Sequence, residues 1–415
     1  MDDRTRRLAS DILLRNLDPL DETSQDDETP NSPSKSYNSN ILLRRRLALS
    51  RAITLLETKC HHSLKQKQAD LLLSYLMQNM STSMDTSHVE HRGGGFDDNN
   101  FRIGLAGPPG AGKSSFIEAI GMYILDELPM KQNESWEGKD NSPWSNYCPS
   151  QVGVVCVDPS SSVSGGSILG DKTRMTQLSR HERAYIRPSA NAGVVGGLAA
   201  YTDDVVSCCQ AAGYSLVLLE TVGLGQSEIE VAQSVDMVLL LLPPGGGDDL
   251  QGVKKGIVEI SDMMVVTKAD GTLLPAAKQT AADYRGALRL LQDIGNSSGS
   301  SNKSSSLPTW KPPVLLTSSA TGEGLDKVWE QICAYRQYVM QTGTLQKRRQ
   351  EQATYWMWKH LSQLVQNYIR QQDPAITEQA RQLEESLEQR QLTPRVAAAQ
   401  LLHQVLLRTN SKDMK

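Results

Sequence analysis

Between residues 107 and 114 the chain reads Gly107-Pro108-Pro109-Gly110-Ala111-Gly112-Lys113-Ser114, which matches G-x-x-x-x-G-K-[ST] at every defined position. A strand-like run, Ile103 to Ala106, precedes it and a helix-like run, FIEAIGMYIL, follows it. That is the strand–loop–helix context this phosphate-binding motif needs. Glycines let backbone N–H groups close around phosphate oxygens without a Cβ clash, and the following helix aims its positive end at them. Lys113 can then reach the β- and γ-phosphates, and the Ser114 hydroxyl can ligate Mg²⁺. Ser115 completes the expected nucleotide-binding set.

Such a loop belongs in an α/β fold, and the rest of the chain agrees. Short apolar runs recur between helix-length segments: Ile103 to Ala106, Val152 to Val157, Leu216 to Leu219, Met237 to Leu242, Met263 to Thr267 and Val314 to Thr317. Strands nearly continuous in Val and Leu belong to a parallel sheet covered on both faces. Aromatics are only 5% of the 415 residues, so the core rests on Val, Leu, Ile and Ala. The expected architecture is a P-loop NTPase, with a mostly parallel sheet flanked by helices plus N- and C-terminal helical extensions.

The base is identified further along. Met263-Met-Val-Val-Thr267-Lys268-Ala269-Asp270 ends a strand on TKAD, a variant of the N/T-K-x-D element of GTPases with Thr267 in place of the usual Asn. Asp270 can accept hydrogen bonds from guanine N1–H and the exocyclic amine. Adenine offers neither donor, and an unmatched buried polar group is costly. The Lys268 stem would lie along the base. Ser318-Ser319-Ala320, after the last strand, is similar to the loop whose backbone N–H groups meet guanine O6.

Phosphate-sensing pieces lie between these elements. Glu220-Thr-Val-Gly223 ends a strand and is similar to D-x-x-G with Glu for Asp. Glu220 could hold Mg²⁺ through water and the Gly223 N–H could meet the γ-phosphate. Asp158 and Asp171, at a strand end and in its loop, are placed to meet Mg²⁺ or its waters; as plain strand-end or turn caps they would need no ligand. The residue after Gly223 is Leu224, where many regulatory GTPases carry a water-orienting Gln, and Gln226 lies two further on. Slow hydrolysis by the isolated protein is the expectation.

The flanks read as helices and linkers. Residues 1–40 are expected to be a disordered tail, on the Asp, Glu, Ser, Asn and Pro content from about residue 17. Residues 41–100 form a helical extension and linker: Leu49, Ala52, Ile53 and Leu56 make an amphipathic stripe, and Arg44-Arg45-Arg46 before it reads as a solvated face. Cys60-His61-His62 lacks the second ligand cluster a zinc site needs. Residues 101–340 are the nucleotide domain, with Gly295 to Ser306 as a Ser-rich flexible loop. Residues 341–415 form a helical arm, with a stripe of Leu361, Leu364, Val365 and Tyr368, and with Thr393-Pro394 opening a last helix.

Composition narrows the partners. The formal charge of −4 disfavours nucleic acid. Six cysteines without a CxxC pair fit a reducing compartment. No apolar run reaches the roughly 18 residues of a membrane span. The acid-containing start fits a transit peptide poorly, though Arg4, Arg6 and Arg7 are present.

GPPGAGKSS, DPSSSVSGGSILGDKTRM, RPSANAGVVGGL, ETVGLGQSE, PPGGGDDLQGVKKGI and TKAD occur in that order. This series resembles the MeaB/ArgK-like P-loop GTPase family, which includes the methylmalonic aciduria type A protein, over about Ile41 to Leu407. The resemblance implies a homodimer that binds GTP or GDP with Mg²⁺, its C-terminal arm, with Trp356 and Trp358, mediating dimerisation unless those rings are ordinary core. It implies a chaperone of methylmalonyl-CoA mutase or a related acyl-CoA mutase. GTP hydrolysis would gate loading of adenosylcobalamin, carried by the partner, and removal of damaged cofactor. It also implies that Lys254, in the Gly-rich segment Pro243 to Gly256, swings into the site; a solvated helix lysine is the plain alternative. Location would be the mitochondrial matrix in a eukaryote and the cytoplasm otherwise. Two rival readings are a small-molecule kinase, from the arginine/ornithine transport-system label this family has carried, and a nickel-type metallochaperone GTPase.

Overall fold

The computed structural model describes residues 2–13, 33–57, 64–82, 100–130, 147–158, 175–190, 201–221, 230–245, 255–297, 309–371 and 374–412. The Cys60-His61-His62 cluster lies outside them. Two compact units divide the chain, Met1–Arg349 and Gln350–Lys415, so the N-terminal helices belong with the nucleotide domain.

Helices α1 (Asp3–Ile12), α2 (Pro33–Leu56) and α3 (Leu64–Thr82) form the N-terminal layer. The expected disordered tail is thus corrected at both ends. Asp2 caps α1 by accepting from the Thr5 N–H at 2.7 Å, and Ala9 and Ile12 are fully buried, which fixes it. The α2 stripe is as expected, with Leu49, Ala52, Ile53 and Leu56 all buried. The arginine run is not uniformly solvated. Arg44 pairs with Asp11 at 2.7 Å, Arg45 is buried, and Arg46 donates to the Ser179 carbonyl at 3.1 Å.

The sheet starts with β1 (Phe101–Ala106), which leads through the glycine loop into α4 (Lys113–Met122); a π-helical turn, Tyr123–Glu127, extends that helix. Strands β2 (Val152–Asp158) and β3 (Ala184–Ala190) follow, then α5 (Thr202–Ala211), β4 (Leu216–Thr221), β5 (Met237–Leu242), α6 (Lys255–Ile260) and β6 (Met263–Val266). After α7 (Leu274–Ser297), β7 (Val314–Leu316) closes the sheet and α8 (Leu325–Gln341) covers it. All seven strands are parallel, in the order β3-β2-β4-β1-β5-β6-β7. Six were expected. β3 escapes the pattern because Arg187, Pro188 and Ser189 interrupt its apolar run, a composition tolerated at the sheet edge it occupies. Helix α7 absorbs Gly295 to Ser297 of the expected Ser-rich loop; the remainder lies outside the described residues.

Beneath the sheet, opposite the glycine loop, buried charges join the strands to α9 (Thr344–Gln371). Arg349 donates to both oxygens of Asp236 at 2.8 and 2.7 Å and to the Asn100 carbonyl at 2.8 Å. Asp236 also accepts from the Arg102 N–H at 2.9 Å, so one carboxylate ties β1 to β5 and to α9. Asp262 does the same one strand over. It accepts from the Val238 N–H at 2.8 Å, the Tyr335 hydroxyl at 2.7 Å and Arg348 at 3.1 and 3.2 Å. Burial, reinforced by Asp262, pushes the Tyr335 phenol well above its usual range and keeps it a donor. Losing one member of a buried pair costs about 3–5 kcal/mol, so these strand starts are held firmly.

The second unit continues α9 into α10 (Pro374–Glu388) and α11 (Pro394–Lys412). Thr393 directly precedes Pro394, and its carbonyl accepts from the Ala397 N–H, as the cap reading requires. The two arm tryptophans differ. Trp356 is buried beside Tyr355 and His360, so its ring is core; Trp358 is 59% exposed. Leu361, Leu364 and Val365 share that exposure.

At the start of α5, burial together with the neighbouring Asp203 and Asp70 pushes the Asp204 carboxyl up to about 7. The folded chain therefore binds this proton more tightly than the unfolded chain. Stability is lost as pH rises from about 4 to about 7. Asp204→Asn is expected to raise the thermal unfolding midpoint at pH 8, with the gain shrinking towards pH 5. Equal midpoints at pH 8 would refute this.

Candidate nucleotide site

The site is built at the C-terminal ends of β1, β4, β5, β6 and β7. Gly107 leaves β1 so close to β5 that a Cβ would stand 2.3 Å from the Leu241 carbonyl oxygen; no larger residue fits. Gly110 and Gly112 then turn at φ +80°, and α4 begins directly after them at Lys113. Lys113 is buried, and its ammonium donates to the Gly107 and Pro108 carbonyls at 2.7 and 3.2 Å. A phosphate seated in that cradle would meet the cation directly.

Ser114 donates from Oγ to Glu220 Oε1 at 2.9 Å, and both residues are buried. A hydroxyl and a carboxylate at this spacing are hard oxygen donors that suit Mg²⁺, which takes few protein ligands and completes its shell with water and phosphate. Thr221 was not singled out in the sequence, yet its hydroxyl donates to the Leu105 carbonyl at 3.1 Å. This fixes the end of β4 to the strand that launches the loop. A lone threonine at the end of a strand carries no pattern by which it could have been found.

Thr267 explains the departure from Asn. Its hydroxyl donates to the Ala111 carbonyl at 2.6 Å and contacts the Leu242 carbonyl at 3.2 Å, joining base loop, phosphate loop and the end of β5. Lys268 has φ +52°, and its ammonium donates to the Gly110 carbonyl at 2.8 Å. Its stem therefore crosses the phosphate loop, where a base could stack on it. Ala269 N–H donates to the Thr317 carbonyl at 3.0 Å, registering TKAD against the last loop.

Ser318 differs from its expected role. Its N–H is engaged by the Glu323 carbonyl at 3.0 Å, while its hydroxyl donates to Asp270 Oδ2. Its amide is thus occupied, and its hydroxyl holds the Asp270 carboxylate in place. Ser319 and Ala320 occupy the turn that follows. Pro109 is exposed at the loop's tip, and Ser115 is exposed in the first turn of α4. Asp158 ends β2; its side chain, together with Asp171, Gly223, Leu224, Gln226 and Lys254, lies outside the described residues. Among the described residues no group of three or more His, Cys, Asp and Glu side chains converges, and no helix is long and apolar enough to cross a membrane.

The family model described as "Methylmalonyl Co-A mutase-associated GTPase MeaB" matches residues 148–374. A shorter match, to the RNA helicase model over residues 103–186, covers the phosphate loop and its flanking strands. The mouse protein "Methylmalonic aciduria type A homolog, mitochondrial" is 38% identical over 364 residues, covering 88% of this chain and 77% of that one. A "Putative GTPase" of Caulobacter vibrioides is also 38% identical, covering 88% and 96%. "GTPase ArgK" of Escherichia coli is 35% identical, covering 78% and 82%. The solved structure "Crystal structure of LAO/AO transport system kinase" aligns with a TM-score of 0.57 at 27% identity, covering 91% of this chain and all of that one. With a phosphate loop, a guanine-type loop and these relatives in agreement, the chain belongs to the MeaB family of P-loop GTPases.

Proposed function

We propose that this GTPase is a chaperone of methylmalonyl-CoA mutase or a related acyl-CoA mutase, using GTP binding and hydrolysis to gate loading of adenosylcobalamin and to protect or reactivate the enzyme. The observation that carries the nucleotide half is the Thr267–Ala111 bond. It couples a loop able to read guanine to a loop able to hold its phosphates. The mutase half is supported by the descriptions of the family model and the mouse relative.

In this reading the phosphates lie in the loop Gly107 to Ser115, on the backbone N–H groups from Gly110 onward, with Lys113 countering charge that develops on the γ-phosphate and its bridging oxygen. Bound Mg²⁺ would neutralise the β- and γ-oxygens. Ser114 would hold it, Glu220 would orient its waters, and Asp158 and Asp171 would complete the set. Gly223 would contact the γ-phosphate. Lys254 would stabilise transition-state charge, and hydrolysis by the isolated protein is slow and stimulated by the partner. The exposed α9 face of Met357, Trp358, Leu361 and Leu364 supports homodimerisation through the arm, because contiguous apolar surface favours association. Two relatives named as mitochondrial, from mouse and Caenorhabditis elegans, support a matrix location in a eukaryote.

Asp270→Asn retains an oxygen for the Ser318 hydroxyl and turns an N–H₂ donor to the base. It is expected to weaken GTP binding about tenfold to a hundredfold and to improve XTP binding, since xanthine presents an acceptor where guanine has its amine. Tight ATP binding by the parent chain would refute the guanine assignment. Lys254→Ala should lower mutase-stimulated turnover while leaving nucleotide affinity intact; an unchanged rate removes that lysine from the mechanism. Purified mutase of the same organism should be retained by the immobilised GTPase, to an extent that differs among GTP, GDP and nucleotide-free conditions. No retention in any of the three would exclude the chaperone role.

A further inference from the structure

Helix α2 reaches the magnesium side of the site by two separate routes. On the first, Arg46 donates to the Ser179 carbonyl at 3.1 Å. Ser179 belongs to a strap, residues 175–183, that lies along α4. The Gln177 N–H donates to Glu118 Oε1 at 2.6 Å. Leu178 is fully buried where Gly121 offers no side chain; a Cβ there would stand 2.8 Å from the leucine. Further along, His181 Nε2 meets Asp126 at 3.0 Å. Glu118 follows Ser114 by four residues and Gly121 follows Glu118 by three, so all three share one face of α4. The strap therefore holds the helix face that carries the Ser114 hydroxyl.

The second route passes through the sheet. Glu57, the residue after α2, pairs with Arg187 of β3, and the Thr54 hydroxyl lies 3.4 Å from the same guanidinium. β3 pairs with β2 along its length, and β2 pairs with β4 so that Cys156 stands opposite Glu220. The Ser114–Glu220 hydrogen bond closes the circuit. Two grips on one helix thus converge on the two side chains that suit the metal.

We propose that Arg46 and Glu57 are positioning residues for the magnesium side of the nucleotide site, making the N-terminal extension a brace for metal-dependent nucleotide binding. The proposal rests on the GTPase reading with Ser114 and Glu220 at the metal. Neither residue touches phosphate or base, so both act through the strap, α4 and β3. Reciprocity follows, because if α2 favours the metal-competent arrangement, Mg²⁺ must in turn favour the docked α2.

The test titrates Mg²⁺ into full-length protein holding a fluorescent non-hydrolysable GTP analogue. Arg46→Ala and Glu57→Ala are each expected to raise the half-saturating Mg²⁺ concentration about fivefold. Affinity for the analogue in EDTA should stay at the parent value, and Arg46→Lys, which keeps a donor for Ser179, should restore the Mg²⁺ response. In the parent protein, amide exchange in residues 45–56 should slow when Mg²⁺ joins the bound analogue, a measurement that stands even if a variant fails to fold. Parent-like Mg²⁺ titrations in both alanine variants, or exchange in 45–56 indifferent to Mg²⁺, would overturn the proposal while leaving the GTPase reading intact. Nucleotide binding by the parent that ignores Mg²⁺ would overturn the metal assignment as well.

Discussion

The hydroxyl of Thr267 is the contact on which the site depends. One oxygen reaches the phosphate loop at Ala111 and the end of β5 at Leu242, so three strand ends share a single fixed point. Without it, the phosphate cradle and the base loop would be two separate turns, each free to drift. An asparagine could span the same gap with a longer side chain. Threonine spans it because Gly107 lets β1 and β5 approach until a Cβ would collide with the Leu241 carbonyl. Close strand packing and a short tether are two sides of one solution.

The lower edge of the sheet supplies the counterpart. Asp236 and Asp262 each cap a strand start while holding an arginine of α9 and, for Asp262, a tyrosine of α8. Parallel strands share no hairpin turns to set their register. Here it is set at the bottom by buried carboxylates and at the top by Thr267, Thr221 and the Ala269–Thr317 bond. Loops between these fixed ends can differ greatly without disturbing the strands that bear them.

Much of this was legible in the sequence because it is local. The glycine loop announces itself through backbone constraints that only a few residues satisfy, and six strands announce themselves through short, mostly apolar runs. What escaped is non-local. Asp236 and Arg349 are 113 residues apart, and nothing in either neighbourhood marks them as a pair. β3 escaped because an edge strand has one side without a partner and tolerates Arg187 and Pro188. The Arg44–Arg46 run was misjudged because its partners are distant in sequence. Charge runs are usually solvated, but the acceptor for Arg46 is a carbonyl 133 residues downstream. Ser318 stands in a motif visible in the sequence, but the Glu323 carbonyl that engages its amide lies outside that motif. Trp356 and Trp358 look alike in the sequence and are separated only by which side of α9 each one faces.

The two margins of the sheet also limit how the molecule can be joined to others. One margin is β3, where Pro188 interrupts the row of amide donors; the other is β7, only three residues long. An incoming β-strand from a neighbour would find a broken ladder on the first side and scarcely any ladder on the second. Lateral zippering into fibres or strand-swapped pairs is therefore disfavoured by construction.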